Sequence, residues 1–145
     1  MRLTPRTAEA LIERYEAEFR SALAALDRAH PSPLARLYAF VGLYIEVFRA
    51  GRICLCFMLA TDHETLPSTM QDRLRAFFAM SEEWLAETLS SARDAGEIDL
   101  ADPVGDAGDT MIATLNGGMI ICHARGGIAR YEALCARTLA AVGVC

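Results

Sequence analysis

Apolar residues recur three or four positions apart along most of the chain, which is the spacing of one face of an amphipathic helix. The first such stripe runs from Ala8 to Leu26, and charged residues occupy the other faces. Thr4 can cap this helix, with Pro5 at its first position. The helix should end near 30–33, because a residue that precedes proline resists helical geometry.

The middle of the chain predicts three further helices. The first covers about 33–50, with Gly51 as its C-terminal cap. The next segment, 53–60, is almost wholly apolar and should be buried on most sides. It is short enough for a strand, but no partner strand is visible elsewhere, so we predict a helix. A long helix then extends from Pro67 to about Ala95–Gly96.

Two helices complete the chain. Asp102, which is followed by proline, has the character of an N-cap that opens the first of them. Gly126–Gly127 interrupts the periodic pattern, and a last apolar stripe runs from Tyr131 to Val142. The pattern therefore predicts an all-α fold of about six helices that forms a single domain over residues 1–145.

Composition and charge narrow the class of protein. Hydrophobic residues make up 53% of the chain, which is enough to build a core. No apolar run reaches the ~18 uncharged residues of a membrane span, and no signal peptide is visible, so we expect a cytoplasmic protein with no membrane partner. The net charge of -5 and the thin basic clusters argue against a nucleic-acid contact in this chain.

The chain has five cysteines, an odd number without a secretory signal, which favours reduced thiols. Cys54 and Cys56 are the most specific local feature. On one helix, positions i and i+2 lie about 200° apart, so the two thiols should not face one pocket or one metal. We interpret them either as small buried hydrophobes or as a thiol sensor of electrophiles or oxidants, with Arg52 lowering a thiol pKa.

No catalytic or metal-binding motif is apparent. His63 lies between acidic residues and Cys122 precedes His123, but neither group has the paired spacing of a zinc site. The sequence also lacks a glycine-rich phosphate loop, a Gly-x-Ser-x-Gly elbow and a His-Glu-x-x-His motif. We therefore expect neither a metal, nor a cofactor, nor an enzyme.

The order of several short motifs resembles a known family. The motifs are Leu11–Tyr15, Gly51–Ala60 followed by Glu64–Pro67, Trp84–Leu85 leading to Ala95–Ile98, and Asp102–Pro103 opening a helix that contains Leu115–Gly118. In this order and spacing, from about Leu11 to Val142, the chain resembles the C-terminal domain of TetR-family (TetR/AcrR) transcriptional regulators.

The resemblance implies a ligand-sensing and dimerisation domain. In the family, the first four helices of this domain wrap a pocket, and the last two pair with their copies in a second subunit. The family's N-terminal helix-turn-helix has no counterpart here, since only Met1–Ala10 precede the matching region. Trimming, a gene start assigned too late and natural loss all remain open. We expect DNA binding only through that missing module.

Large aromatic and methionine side chains supply candidates for the pocket. Core packing is their usual role, but the resemblance favours a group that surrounds a small apolar or aromatic effector. Tyr38, Tyr44 and Trp84 carry polar tips that could orient a ligand. The candidate ligand-binding residues are Phe19, Tyr38, Tyr44, Phe48, Phe57, Met58, Phe77, Met80, Trp84, Met111 and Met119.

The last two helices supply candidates for a homodimer interface. Adjacent glycines inside a helix cost about 1 kcal/mol each relative to alanine, so Gly117 and Gly118 indicate close helix approach. By the resemblance, the interface residues are Leu115, Gly118, Tyr131, Leu134, Thr138 and Leu139. The alternative is a helical module that dimerises without a ligand. The effector, the target genes and the sign of regulation stay open.

Overall fold

The computed structural model describes residues 4–145, and within them the fold is all-α, as predicted. A single 3₁₀ turn at His63–Thr65 joins the third and fourth helices. The six α helices are α1 (Pro5–Ala29), α2 (Pro33–Arg49), α3 (Leu55–Ala60), α4 (Ser68–Asp94), α5 (Val104–Ala124) and α6 (Gly127–Ala140). None of the helices in this described range is long and apolar enough to cross a membrane.

Local capping chemistry explains the ends of the first two helices. The Thr4 hydroxyl accepts a hydrogen bond from the Thr7 amide at 3.2 Å, which confirms the predicted cap of α1. Ser32 caps α2 in the same way through the amide of Ala35. Gly51 follows α2 at a φ of 71°, in the left-handed region where a C-terminal glycine ends a helix, as predicted.

The predicted N-cap at Asp102 is wrong. Pro103 occupies that position, α5 begins at Val104, and no side chain caps its first turn. Pro67 likewise precedes α4 and does not lie in its first turn. Both prolines have extended backbone angles, with ψ of 137° and 148°, so each helix begins one residue later than a proline at the first helical position would place it.

Helix α4 lies at the centre and contacts α1, α2, α3 and α5, while α6 packs on α2 and α5. The larger core cluster joins α2, α4, α5 and α6 around buried residues such as Phe40, Leu85 and Leu115. A smaller cluster joins α1, α3 and α4 around Ile12 and Phe77. The fold is therefore a helical bundle in which α5 and α6 form one side.

The hairpin of α5 and α6 is closely packed at one glycine. A methyl group on Gly118 would overlap the Leu134 side chain, whereas one on Gly117 would meet no atom within 4 Å. Within the chain, close helix approach therefore occurs at Gly118, while no other atom of the chain comes near Gly117. Across the same seam, the Tyr131 hydroxyl donates a hydrogen bond to the carbonyl oxygen of Leu115 at 2.8 Å.

The C-terminus is fixed to the connection between α4 and α5, which no sequence pattern predicted. The Asp99 amide donates to the carbonyl oxygen of Gly143 at 2.6 Å, and the Cys145 amide donates to that of Glu97 at 3.1 Å. Ile98 and Val144 form an isolated antiparallel bridge. These contacts hold the end of α6 against the rest of the bundle.

Candidate ligand-binding cavity

A cavity of about 450 Å³ lies between α1, α2 and the segment that connects α2 to α3. This volume falls in the range of small-molecule sites, which is roughly 300–1,000 Å³. Its lining residues are Tyr15, Glu18, Phe19 and Ala22 from α1, Leu43, Tyr44, Glu46 and Val47 from α2, and Ala50, Arg52, Ile53 and Cys54 from the connection.

Helical spacing brings the lining residues of each helix onto one face. Tyr15 and Phe19 are four residues apart on α1, and Leu43 and Val47 are four apart on α2. Side chains at this spacing lie one turn apart on the same side of a helix. The α1 side of the cavity thus carries the rings of Tyr15 and Phe19, and the α2 side carries Leu43 and Val47 together with the ring of Tyr44.

Buried aromatic rings pack against the three rings that line the cavity. The ring centroid of Phe77 lies 5.4 Å from that of Tyr15 and 5.3 Å from that of Phe19. The Phe40 ring lies 5.4 Å from the ring of Tyr44. Since Phe40 and Phe77 are almost fully buried, the rings that face the cavity rest on a rigid core.

The two tyrosines that line the cavity are polar and uncharged. Burial, followed by the neighbouring Cys54 thiol, raises the pKa of Tyr15. Burial also raises the pKa of Tyr44, and the neighbouring Asn116 amide acts in the opposite direction. Both phenols therefore stay protonated at neutral pH and can donate hydrogen bonds. The Asn116 amide oxygen is buried and has no hydrogen-bond partner in the part of the chain that the structure describes.

The Arg52 segment is tied to the end of α5 by His123. The Nε2 of His123 lies 3.0 Å from the carbonyl oxygen of Arg52, and the imidazole stacks on the Phe48 ring at 4.1 Å. Phe48 in turn stacks on Tyr131 of α6 at 4.8 Å. This link between the Arg52 segment and α5 depends on the tertiary structure, and no local sequence pattern indicated it.

Of the candidate ligand-binding residues, Phe19 and Tyr44 line the cavity, and Phe77 supports it from behind. Tyr38 is 50% exposed on α2, and Met58 is 47% exposed on α3. The remaining candidates are packed into the two core clusters without lining this cavity: Phe48, Phe57, Met80, Trp84, Met111 and Met119.

Trp84 shows why a large side chain is not evidence of a pocket. Its ring stacks on Phe40 at 5.2 Å, and its indole nitrogen donates to the Asp27 carboxylate at 3.1 Å. Both its apolar and its polar parts are thus satisfied by protein. Conversely, Leu43 and Val47 line the cavity but were not among the predicted ligand-binding residues, which were all large aromatic or methionine side chains. Their spacing of four residues on α2 was visible in the sequence.

Cys54 and Cys56 do not lie on one helix, so their treatment as positions i and i+2 of a helix is wrong. Cys54 is the N-cap residue of α3 with non-helical angles, and Cys56 lies within the helix. Both are buried, and only Cys54 lines the cavity. Burial, followed by the proximity of the Cys54 thiol, raises the pKa of Cys56. A protonated thiol is a poor nucleophile, so Cys56 has the environment of a buried hydrophobe.

The candidate dimer-interface residues lie mostly inside one chain. Leu115 and Tyr131 have no exposed surface, and Gly118, Thr138 and Leu139 are also buried, while Leu134 is half-buried. They form the seam between α5 and α6 of the same chain. Any partner surface on this hairpin must therefore use its outward residues.

No protein-family model matches the chain, and no curated protein sequence is significantly similar to it. Solved structures are similar. A TetR-family transcriptional regulator from Agrobacterium tumefaciens matches with a TM-score of 0.91 and 24% identity, over 97% of this chain and 75% of that one. Regulatory protein TetR from Rhodobacter sphaeroides matches with a TM-score of 0.82 and 21% identity, over 94% and 75%.

The reduced form of NemR from E. coli also matches, with a TM-score of 0.83 and 15% identity, over 97% of this chain and 74% of that one. At these identities the likeness concerns the fold. The arrangement of the six α helices is therefore a fold that this chain shares with solved structures of TetR-family transcriptional regulators.

Proposed function

We propose that this chain is the effector-binding and dimerisation region of a TetR-like transcriptional regulator and that it has no enzymatic activity. The observation that carries the proposal is the cavity of about 450 Å³ between α1 and α2. Aromatic and aliphatic side chains line it, and two of them are neutral phenols. Such a site suits a small apolar or aromatic effector that carries a hydrogen-bonding group.

DNA recognition is assigned to a helix-turn-helix module outside residues 4–145. The net charge of -5 leaves little basic surface for phosphate contacts. We therefore expect these residues alone to bind no operator DNA. A gel shift that shows tight, sequence-specific binding by this chain would contradict the assignment.

The outward face of α6 is the proposed centre of a homodimer interface. Its alanines follow one another at helical spacing, and all four are exposed: Ala129, Ala133, Ala136 and Ala140. On α5, Ala113, Gly117 and Ile121 continue a small, apolar surface, and Ile121 is 57% exposed. Small residues allow two hairpins to approach closely, which gives the four-helix arrangement that the family resemblance implies.

Charge along the hairpin supports a two-fold pairing. Asp106 and Asp109 lie in the first part of α5, whereas Arg125 and Arg130 lie around the turn at its other end. A two-fold axis across α5 would place the acidic end of one chain beside the basic end of its copy. Complementary ends of this kind fix the orientation of partners.

Dimerisation can be tested by sedimentation. We expect the wild-type chain to be a dimer and Ala133→Glu to shift it to monomer, because a buried charge without a partner is costly. Ala76→Glu, on an exposed position of α4, is the matched control and should leave the dimer intact. A wild-type monomer, or equal effects of the two variants, would contradict the proposed interface.

Ligand binding can be tested with N-phenyl-1-naphthylamine, a neutral apolar dye that fluoresces when it leaves water. We expect saturable binding that Val47→Trp abolishes, because the larger ring fills the cavity. Met58→Trp, at an exposed site, should bind as wild type. Both variants should keep wild-type circular dichroism. A dimer that binds no dye saturably would support the alternative of a dimerisation module without a ligand.

Coupling between the cavity and the proposed dimer interface would run through the contacts of His123. The cavity segment at Arg52 is bonded to His123, and the stacked rings of Phe48 and Tyr131 continue from it to α6. An effector would act by preferring one arrangement of these contacts, since a ligand shifts an equilibrium only through different affinities for its two states.

A further inference from the structure

We infer that the effector of this cavity is an organic anion, an apolar body that carries one carboxylate, and that Arg52 is its charged partner. The inference rests on the proposed function and specifies the ligand of the same cavity. It starts from the charged residues among the lining, which are Glu18, Glu46 and Arg52.

Both glutamates already have a counter-ion. Glu18 lies 3.0 Å from the guanidinium of Arg14, and Glu46 lies 2.9 Å from that of Arg49. Arg49 is shared, since it also contacts Glu132 of α6. The acidic groups at the cavity are therefore compensated by arginines of their own helices.

Arg52 has no such partner. Within residues 4–145 its guanidinium takes part in no ion pair. The residue lines the cavity from the connection between α2 and α3. His123 holds the carbonyl oxygen of the same residue at 3.0 Å, which fixes the backbone beside the cavity. A carboxylate is the group that matches a guanidinium with two parallel hydrogen bonds.

The rest of the cavity fits the apolar body of such an anion. Phe19, Leu43 and Val47 offer apolar surface for the body of the ligand. Tyr15 and Tyr44 remain neutral, so neither phenol repels a carboxylate. The chain as a whole is acidic, with a net charge of -5, so attraction of an anion requires a specific positive site.

Displacement of the neutral dye by a matched pair of ligands tests the inference. 4-Phenylbutyrate and 4-phenylbutanamide have nearly the same shape and differ in charge. We expect the acid to displace N-phenyl-1-naphthylamine at a concentration about tenfold lower than the amide, because a hydrogen bond to a charged group is stronger than a neutral one. Added salt should reduce this ratio.

In Arg52→Gln, the acid and the amide should displace the dye at nearly the same concentration, while the dye itself still binds. Arg93→Gln removes the same charge from an exposed position at the end of α4 and should keep the wild-type ratio. If the dye binds and the two ligands displace it equally in the wild type, the inference of an anionic effector is overturned, while ligand binding in the cavity is supported. If the dye does not bind, the proposed function and this inference both fail.

Discussion

The Nε2 of His123 lies 3.0 Å from the carbonyl oxygen of Arg52, so the last turn of α5 is bonded to the segment that closes the cavity. A carbonyl only accepts, and the imidazole nitrogen therefore donates this hydrogen bond. The same ring stacks on Phe48 with an interplanar angle of 16°. One side chain thus joins the cavity segment, α2 and α5.

Replacement of this histidine separates its two contacts. His123→Phe keeps a ring that can stack on Phe48 and removes the hydrogen bond to Arg52. We expect the free energy of unfolding in urea to fall by about 1 kcal/mol, the usual worth of one such bond. His63→Phe is the control, because the ring of His63 makes no hydrogen bond in the described part of the chain, and it should change stability by less than about 0.5 kcal/mol.

The glycine near the C-terminus should be far less tolerant than its counterpart after α4. Gly143 has a φ of 77°, and a methyl group there would overlap the carbonyl group of Asp99. Gly96 has a φ of 72°, with open space around it. Gly96→Ala should cost about 1 kcal/mol from backbone strain alone. We expect Gly143→Ala to cost at least about 1 kcal/mol more, since backbone must also move. Equal thermal denaturation of the two variants would contradict the tight contact.

Alkaline pH should unfold the protein through its buried phenols. Burial raises the pKa of Tyr15, Tyr44 and Tyr131 in the folded state. Their contribution to stability is complete below the unfolded tyrosine pKa of about 10 and is lost as the pH rises beyond it, because the unfolded chain releases these protons first. Tyrosinate absorbance from these residues should therefore appear together with the loss of helical circular dichroism. Full ionisation in a protein that stays helical would contradict their burial.

The cysteines should divide into one fast and four slow thiols. Cys145 is exposed, whereas Cys54, Cys56, Cys122 and Cys135 are buried. Burial also raises the pKa of Cys56 and Cys135, which keeps those thiols protonated at neutral pH. We expect a disulfide reagent to label one thiol rapidly, and Cys145→Ser to remove that phase. A second fast thiol that maps to Cys54 would instead support the sensor of electrophiles or oxidants.

Helix positions and most helix ends could be predicted because they depend on local chemistry. Spacing of apolar residues, Thr4 as a cap and Gly51 at a left-handed position act within a few residues of one another. The errors at Asp102 and Cys54 were also local: each residue lies just outside the helix that was assigned to it. A shift by one residue changes the direction of a side chain by about 100°.

The candidate site was predicted only in part, since periodicity identifies buried faces but not what covers them. Phe19 and Phe77 have the same sequence character, yet Phe19 faces the cavity and Phe77 faces other rings. In the same way, the stripe that contains Tyr131 indicates burial. Only the packed hairpin shows that this stripe is buried against α5 of the same chain, where Tyr131 contacts Leu115.

By itself, the sequence determined the helical class, the number and order of helices, and the acidic character of the chain, since these follow from periodicity, caps and charge. The tertiary structure decided where α1 and α2 leave about 450 Å³ unfilled and which charges meet there. It also decided that Arg52 is left without an ion pair in residues 4–145 while Glu18 and Glu46 are paired. These outcomes depend on the distances between helices that are far apart in sequence, and no local pattern encodes such distances.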